Sequence, residues 1–470
     1  MSGEAAGTGD GGESSLLPDR VGLLAVLALV VGNAISVPIY VLSGPLAGSA
    51  GPSVVFAVLL AAIPAGFVVL YNALLGSAMP VAGGLYVYIS RLIAPFWGFL
   101  VPFTLPLVVW ASLLVTATGF AEYTRYFVDL PTTALIYALL VFVLLINIAG
   151  LRLVAQFQIL FVAGLAAALL VFIVPGATAV DPANYTPMFP DLGAFGLAAV
   201  ALFYPFLGFG LLVELGEEID DPGRTIPLAL FGGVAIVAAF YVALVAVLVG
   251  VVPWTQLGNP DDLAIVAERF LPPWGAKFVA AGALFAVITS VSTALLTASR
   301  TIMRAARDGI LPRPLSRVHP RFGTPHYSLL VLGLPPLLLV PIADELIGLS
   351  VFIGLASLTA YFFCAIGLWN LPMEFPHHYG NAPFRLRRYR GLLAAVLGGG
   401  LATASFWAVT LLQRPVVGLV LIGWFMVGYG YYRYRLRAVD ADDMYLTMTS
   451  LDDHEQAFAR TDRVDPSEGD

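Results

Sequence analysis

The sequence predicts an all-α integral membrane protein with about twelve transmembrane helices. Three observations predict it: an excess of apolar residues, the recurrence of apolar stretches of spanning length, and a one-sided distribution of arginine. Of the 470 residues, 59% are hydrophobic and 11% are charged, and the mean hydropathy is +0.89. A soluble domain needs roughly 25% charged residues to cover its surface, so the apolar excess here faces lipid. The single cysteine, Cys364, allows no intramolecular disulfide and is expected to be a small packed apolar residue.

The elements follow in chain order. Residues 1–20 are polar and acidic (Glu4, Asp10, Glu13, Asp19) and lack the basic start and short apolar core of a secretory signal. Apolar stretches of about 20 residues, the length that crosses a 30 Å hydrocarbon core, begin near residues 21, 53, 96, 131, 153, 192, 225, 276, 326, 346, 391 and 415. The long run from Tyr327 to Trp369 is divided at Asp344-Glu345. Residues 436–470 form a second acidic tail, expected, like the first, to be solvated.

Basic loops stay on the cytoplasmic side. With the N-terminus inside and twelve spans, 19 of the 23 Lys and Arg residues fall inside, leaving Arg125, Arg269, Lys277 and Arg414 outside. Both termini are therefore expected in the cytoplasm of a cell membrane. Arg300, Arg304 and Arg307 recur at helical spacing, so the eighth helix is expected to extend beyond the membrane with a basic, headgroup-anchoring face. The 22 Arg set against one Lys, Lys277, together with acid-rich tails, match the habit of proteins from very salty cytoplasm, and a halophilic source is expected.

Two spans are interrupted. The first carries Gly32-Asn33-Ala34-Ile35-Ser36-Val37-Pro38, and the sixth Tyr204-Pro205-Phe206-Leu207-Gly208-Phe209-Gly210. Proline removes a backbone donor and glycine loosens the chain. Freed backbone groups are tolerated at membrane depth only around a cavity or ligand. Breaks five helices apart predict two inverted five-helix repeats with a site between them. The expected units are 21–175 and 192–371, followed by helices 11 and 12 over 391–435.

Met79-Pro80-Val81-Ala82-Gly83-Gly84-Leu85-Tyr86-Val87-Tyr88 resembles the P-x-x-G-G-x-Y-x-Y signature of the amino acid/polyamine/organocation superfamily. Glu217-Glu218-Ile219-Asp220-Asp221-Pro222-Gly223-Arg224-Thr225-Ile226-Pro227 resembles that superfamily's E-E-x-x-x-P-x-R-x-I-P loop. Arg307-Asp308-Gly309-Ile310-Leu311-Pro312 with His319-Pro320-Arg321-Phe322-Gly323-Thr324-Pro325 resembles the end of its eighth helix. The resemblance implies the five-plus-five inverted-repeat fold with two extra helices, and a secondary transporter of amino acids or related small amines. It implies substrate contacts at Asn33, Ala34, Ile35 and Ser36 in the first break, and at Phe206, Leu207, Gly208 and Gly210 in the sixth. Gly210 stands where many members have a carboxylate, and Ala34 where the usual second glycine lies.

Gly32-Asn33-Ala34-Ile35 and Ala286-Val287-Ile288-Thr289-Ser290 resemble the G-N-A-V and A-x-x-T-S segments of neurotransmitter/sodium symporters. Carried over, sodium would take the carbonyls of Gly32, Ile35 and Ala286 and the hydroxyls of Thr289 and Ser290. The other reading of the two hydroxyls is that they satisfy helix carbonyls. Glu214 is expected either to face an inner vestibule as part of a gate or to sit at headgroup level. Glu217 and Glu218 are expected to pair near the gate with Arg91 or Arg224. An exchanger, a uniporter, a proton-coupled organocation permease, and a sensor or channel on the same fold are the alternatives. No phosphate-binding glycine loop, zinc spacing or activated nucleophile supports an enzyme or ATP-driven transport, and nothing points to nucleic acid. The expected partners are the bilayer and a small-molecule substrate.

Overall fold

A computed structural model describes residues 23–35, 37–79, 84–149, 153–210, 222–319, 322–386 and 389–438. The expected acidic tails, Ser36, Glu214, Glu217 and Glu218 lie outside the described residues, as do the side chains of Asn33 and Thr289. Among the described residues the fold is all-α. Eight segments of the described residues are long and apolar enough to cross a membrane, and the shorter apolar helical segments Ala163–Gly176, Pro273–Val287 and His326–Ile342 join them. These eleven segments overlap the twelve expected stretches, Val37–Ala78 overlapping two of them.

The first span is α1 (Leu23–Ala34) followed by α2 (Val37–Ala50), and the second is α3 (Val54–Ala78). A short helix, α4 (Gly84–Leu92), precedes the third span, α5 (Pro95–Arg125). Sequence reasoning expected no helix at α4. Gly84 opens it with φ of 49°, a left-handed conformation that costs glycine little. Next come α6 (Thr132–Ala149), α7 (Leu153–Gly176) and α8 (Leu192–Phe203), the last continuing as a 3-10 turn over Tyr204–Gly210. Then follow α9 (Pro222–Val251), a loop helix α10 (Asp262–Ala267), α11 (Pro273–Arg307), α12 (His326–Gly333) and α13 (Pro335–Leu339). The chain closes with α14 (Leu346–Glu374), α15 (Pro376–Asn381), α16 (Tyr389–Gln413) and α17 (Pro415–Ala438).

The break between α13 and α14 falls at Asp344-Glu345, as the charge pair predicts, and α11 runs on to Arg307 with Arg300 and Arg307 exposed. Packing among the first ten spans is symmetric. Spans 5 and 8 pack as α7 on α11, and spans 10 and 3 as α14 on α5; spans 1 and 7 pack as α1 on α9, and spans 6 and 2 as α8 on α3. Exchanging spans 1–5 with spans 6–10 maps one pair of each set onto the other. Successive spans cross in alternate directions, so a shift of five reverses each helix, and the repeat is inverted. The two last helices, α16 and α17, lie outside this symmetry. Phe103 of α5 stacks on Trp424 of α17 with ring centroids 4.7 Å apart, and Tyr71 of α3 donates to the Ala395 carbonyl of α16 at 2.8 Å.

Candidate functional site

Each break begins where proline removes a ladder donor. The Ala34 carbonyl would pair with the N–H of residue 38, but Pro38 has none. Helix α1 makes its last turn through the Ile35 N–H to the Val31 carbonyl at 2.8 Å and then stops. The orphaned Ala34 carbonyl instead accepts from the Tyr241 hydroxyl of α9 at 2.7 Å. In the sixth span Pro205 leaves the Ala201 carbonyl without its fourth-residue partner. That carbonyl accepts from the Tyr204 N–H, one residue earlier, so the helix tightens to 3-10 geometry. The sixth segment therefore stays helical in a tighter form, where the sequence predicted unwinding. Phe206 sets its ring edge-on against Tyr241, centroids 5.3 Å apart at 67°, so one buried tyrosine touches both breaks.

A cavity of about 310 Å³ lies between α5, the sixth-span turn, α11 and α14. Its wall begins at the level of the break with Ser112 and Tyr204, whose hydroxyls are 2.6 Å apart. It continues past Thr104, Thr297 and Thr301 to Tyr86 on α4. Tyr86 donates to Asp308 at 2.8 Å, and Arg304 lies 3.5 Å from the same carboxylate. The cavity thus occupies the half of the bundle nearer the end that carries Arg300, Arg304, Arg307, Arg433 and Arg437, here called the basic end.

The opposite half is closed. Tyr40 and Tyr123, both fully buried, meet edge-on at 6.1 Å, and the Tyr123 hydroxyl donates to the Tyr40 carbonyl at 3.1 Å. Over them lies the loop before α10. Asp262, 3% exposed, accepts from the Gly258 and Asn259 N–H groups at 2.6 and 2.9 Å. Burial, with Glu122 and Asp262 nearby, raises the Asp261 carboxyl above its ordinary pKa. Burial and a hydrogen bond to Glu268 push the Tyr126 hydroxyl up to about 12.

Of the expected substrate contacts, Leu207 lines the cavity, while Ala34, Ile35 and Phe206 are buried and do not line it. Gly208 is half-buried in the turn, and Gly210 ends it. Of the expected gate, Arg91 is half-buried in the last turn of α4. The expected sodium ligands are divided between elements that both border α7: Gly32 is in α1, and Ala286, Thr289 and Ser290 are in α11. Ile35 and Ala286 are buried, and the Ser290 hydroxyl is buried without a hydrogen-bond partner. The Ser290 hydroxyl thus does not close on its own helix. Among the described residues no cluster of three His, Cys, Asp or Glu could hold a metal ion.

Sequence reasoning missed Asn72, Thr104, Ser112, Tyr204 and Tyr241. The signal for the first three was a polar residue inside an apolar span. Tyr241 gave none, because its partner lies 207 positions away.

Residues 21–430 match the amino acid permease family. The branched-chain amino acid permease BcaP of Lactococcus lactis subsp. cremoris is 27% identical over 438 residues, covering 86% of this chain and 92% of its own. The permease of the same name from Bacillus subtilis is 26% identical, covering 78% of this chain and 83% of its own. A cationic amino acid transporter of Mus musculus is 26% identical over 73% of this chain and 58% of its own. With its broken first and sixth spans and a match along nearly its whole length, the chain belongs to the amino acid permease family of the amino acid/polyamine/organocation superfamily.

Proposed function

We propose that this permease carries amino acids with uncharged, apolar side chains by alternating access across the cell membrane, with its basic end in the cytoplasm, and that sodium is the coupling ion. The observation that carries the substrate reading is the cavity wall. Among the described residues it holds no charged side chain, and aliphatic groups such as Leu105, Val108 and Ile353 share it with hydroxyls. A lysine or arginine side chain entering there would lose its hydration without a carboxylate partner, which is costly. An aliphatic side chain gains from the same wall. The names of the bacterial relatives support this reading over the cationic one.

Transport needs the two halves of the bundle to open in turn. In the arrangement described, the tyrosine pair and the loop before α10 close one side while the cavity serves the other. Helix ends at the two breaks present partial charges of both signs, which suit a zwitterion. Sodium bridging α1 and α11 would favour one arrangement of the repeats, and the hydroxyls of Thr289 and Ser290 would supply two of its ligands.

The test is uptake of L-leucine into proteoliposomes with and without a sodium gradient, with L-lysine as competitor. Leucine uptake should rise with sodium, and a hundredfold excess of lysine should leave it unchanged. The pair Thr289→Val and Ser290→Ala, nearly constant in volume, should weaken leucine binding roughly 5–150-fold at high sodium, the range of a coupling of ~1–3 kcal/mol. Without sodium, parent and variant should bind alike. Parental uptake that ignores sodium but follows a pH gradient removes the sodium reading and leaves the substrate reading standing.

A further inference from the structure

Several buried polar side chains on the described helices close on their own backbone. Ser350, Thr359 and Thr403 each donate to the carbonyl four residues back, at 2.7, 2.7 and 2.9 Å. Asn147 does the same through Nδ2, to Val143 at 2.8 Å. Such closure removes a polar group from the chemistry of a cavity.

Two side chains in the cavity wall do not close. Asn72 of α3 and Thr104 of α5 are 3% and 7% exposed, and both line the cavity. Neither Asn72 Nδ2 nor Thr104 Oγ1 has a hydrogen-bond partner. Native interiors pair nearly all such atoms, so an orphan invites a partner that comes and goes. The same wall is largely apolar, with Leu100, Val101 and Leu105 on α5 and Trp97 and Phe363 beside them in the lining. A few polar groups fixed in an apolar hollow is the pattern of a small-molecule site. Asn72 Nδ2 can only donate, whereas the Thr104 hydroxyl donates and accepts. A carboxylate suits the first, and either end of a zwitterion suits the second.

We propose that Asn72 and Thr104 form a second polar subsite, which holds the zwitterionic head of an apolar amino acid between the breaks and the basic end. Thr104 precedes Ser112 by two helical turns, a displacement on the order of 12 Å along α5 toward the basic end. The subsite is thus separate from the level of the breaks. It is a way station: substrate bound there has left the breaks without leaving the protein. The proposal rests on the reading of the chain as a transporter of apolar amino acids.

Asn72→Leu and Thr104→Val, with Thr104→Ser as the conservative control, are reconstituted in vesicles whose protein orientation is known, with L-leucine as probe. For leucine presented at the basic end, each of the first two variants should raise the KM roughly 3–10-fold, as the loss of one hydrogen bond would. From the opposite face the KM should stay within about twofold of the parent. Thr104→Ser should keep parental values on both faces. Thermal unfolding of each variant checks folding, and Asn72→Ser replaces Asn72→Leu if the latter does not fold. Unchanged KM values on both faces would show that water alone fills these positions, and equal rises on both faces would show an effect on the shared site; either result overturns the subsite. If the parent moves leucine with a normal KM, such a result leaves the transport reading intact. A parent that moves none of the twenty amino acids sinks the transport reading, and the subsite with it.

Discussion

Tyr241 shows how one side chain repairs what a proline breaks. Pro38 denies the Ala34 carbonyl its helical partner, and the Tyr241 hydroxyl takes that place from a helix in the other repeat. Its ring meanwhile packs on Phe206 in the sixth-span turn. The breaks themselves were readable, because Pro38 and Pro205 remove donors whatever surrounds them. The repair was not, since no local pattern links residues 207 positions apart. Tyr241→Phe keeps the ring and removes the donor, leaving a buried carbonyl unpaired at a cost of about 1–3 kcal/mol. A lower unfolding midpoint with a raised leucine KM is the expected result. Tyr241→Leu should lower the midpoint further, because the contact with Phe206 also goes. Parental stability and parental KM in Tyr241→Phe would mean that water, or some other group, satisfies the carbonyl equally well.

At the scale of elements, α2 is shaped for a lid. Gly44 and Gly48 lie one turn apart on one face, and the loop before α10 rests directly on them. A Cβ at Gly44 would come 2.2 Å from the Asn259 carbonyl oxygen, and one at Gly48 2.3 Å from that of Leu257. Both contacts are with backbone, which cannot swing aside as a side chain can. The loop is held in shape by the buried Asp262, so a larger residue beneath it must lift it as a unit. Spans were legible because length and apolarity determine them. The lid was not, because α10 has only six residues and its fit depends on the absence of a side chain on another element. Gly44→Val should leave the side of the bundle opposite the basic end open. With Ala47→Cys added as a reporter, a membrane-impermeant maleimide should label from outside, where the same reporter on the parent background stays protected. Protection in both would show that the loop yields without unseating.

For the whole molecule, inverted symmetry and one-sided closure belong together. Two repeats of opposite direction can pack in two equivalent ways, each opening a different face, and the described structure has the tyrosine pair closed and the cavity at the basic end. The sequence predicted the symmetry from two breaks five spans apart, and its count of arginines leads to the expectation that the basic end is cytoplasmic. It could not predict which face is open, since both arrangements use the same residues. The orientation is directly testable because the chain carries its own silent background: Cys364, its single cysteine, is 1% exposed. Gln256→Cys, on the exposed loop before α10, should react with an impermeant maleimide in intact cells. Pro383→Cys, exposed between α15 and α16, should react only after the membrane is permeabilised. A third reporter, Thr301→Cys in the cavity wall, should also wait for permeabilisation, and leucine should then slow its labelling, because substrate both fills the cavity and shifts the repeats. Labelling of Pro383→Cys in intact cells with Gln256→Cys protected would invert the topology. Labelling of Thr301→Cys from outside would place the cavity mouth on the other face.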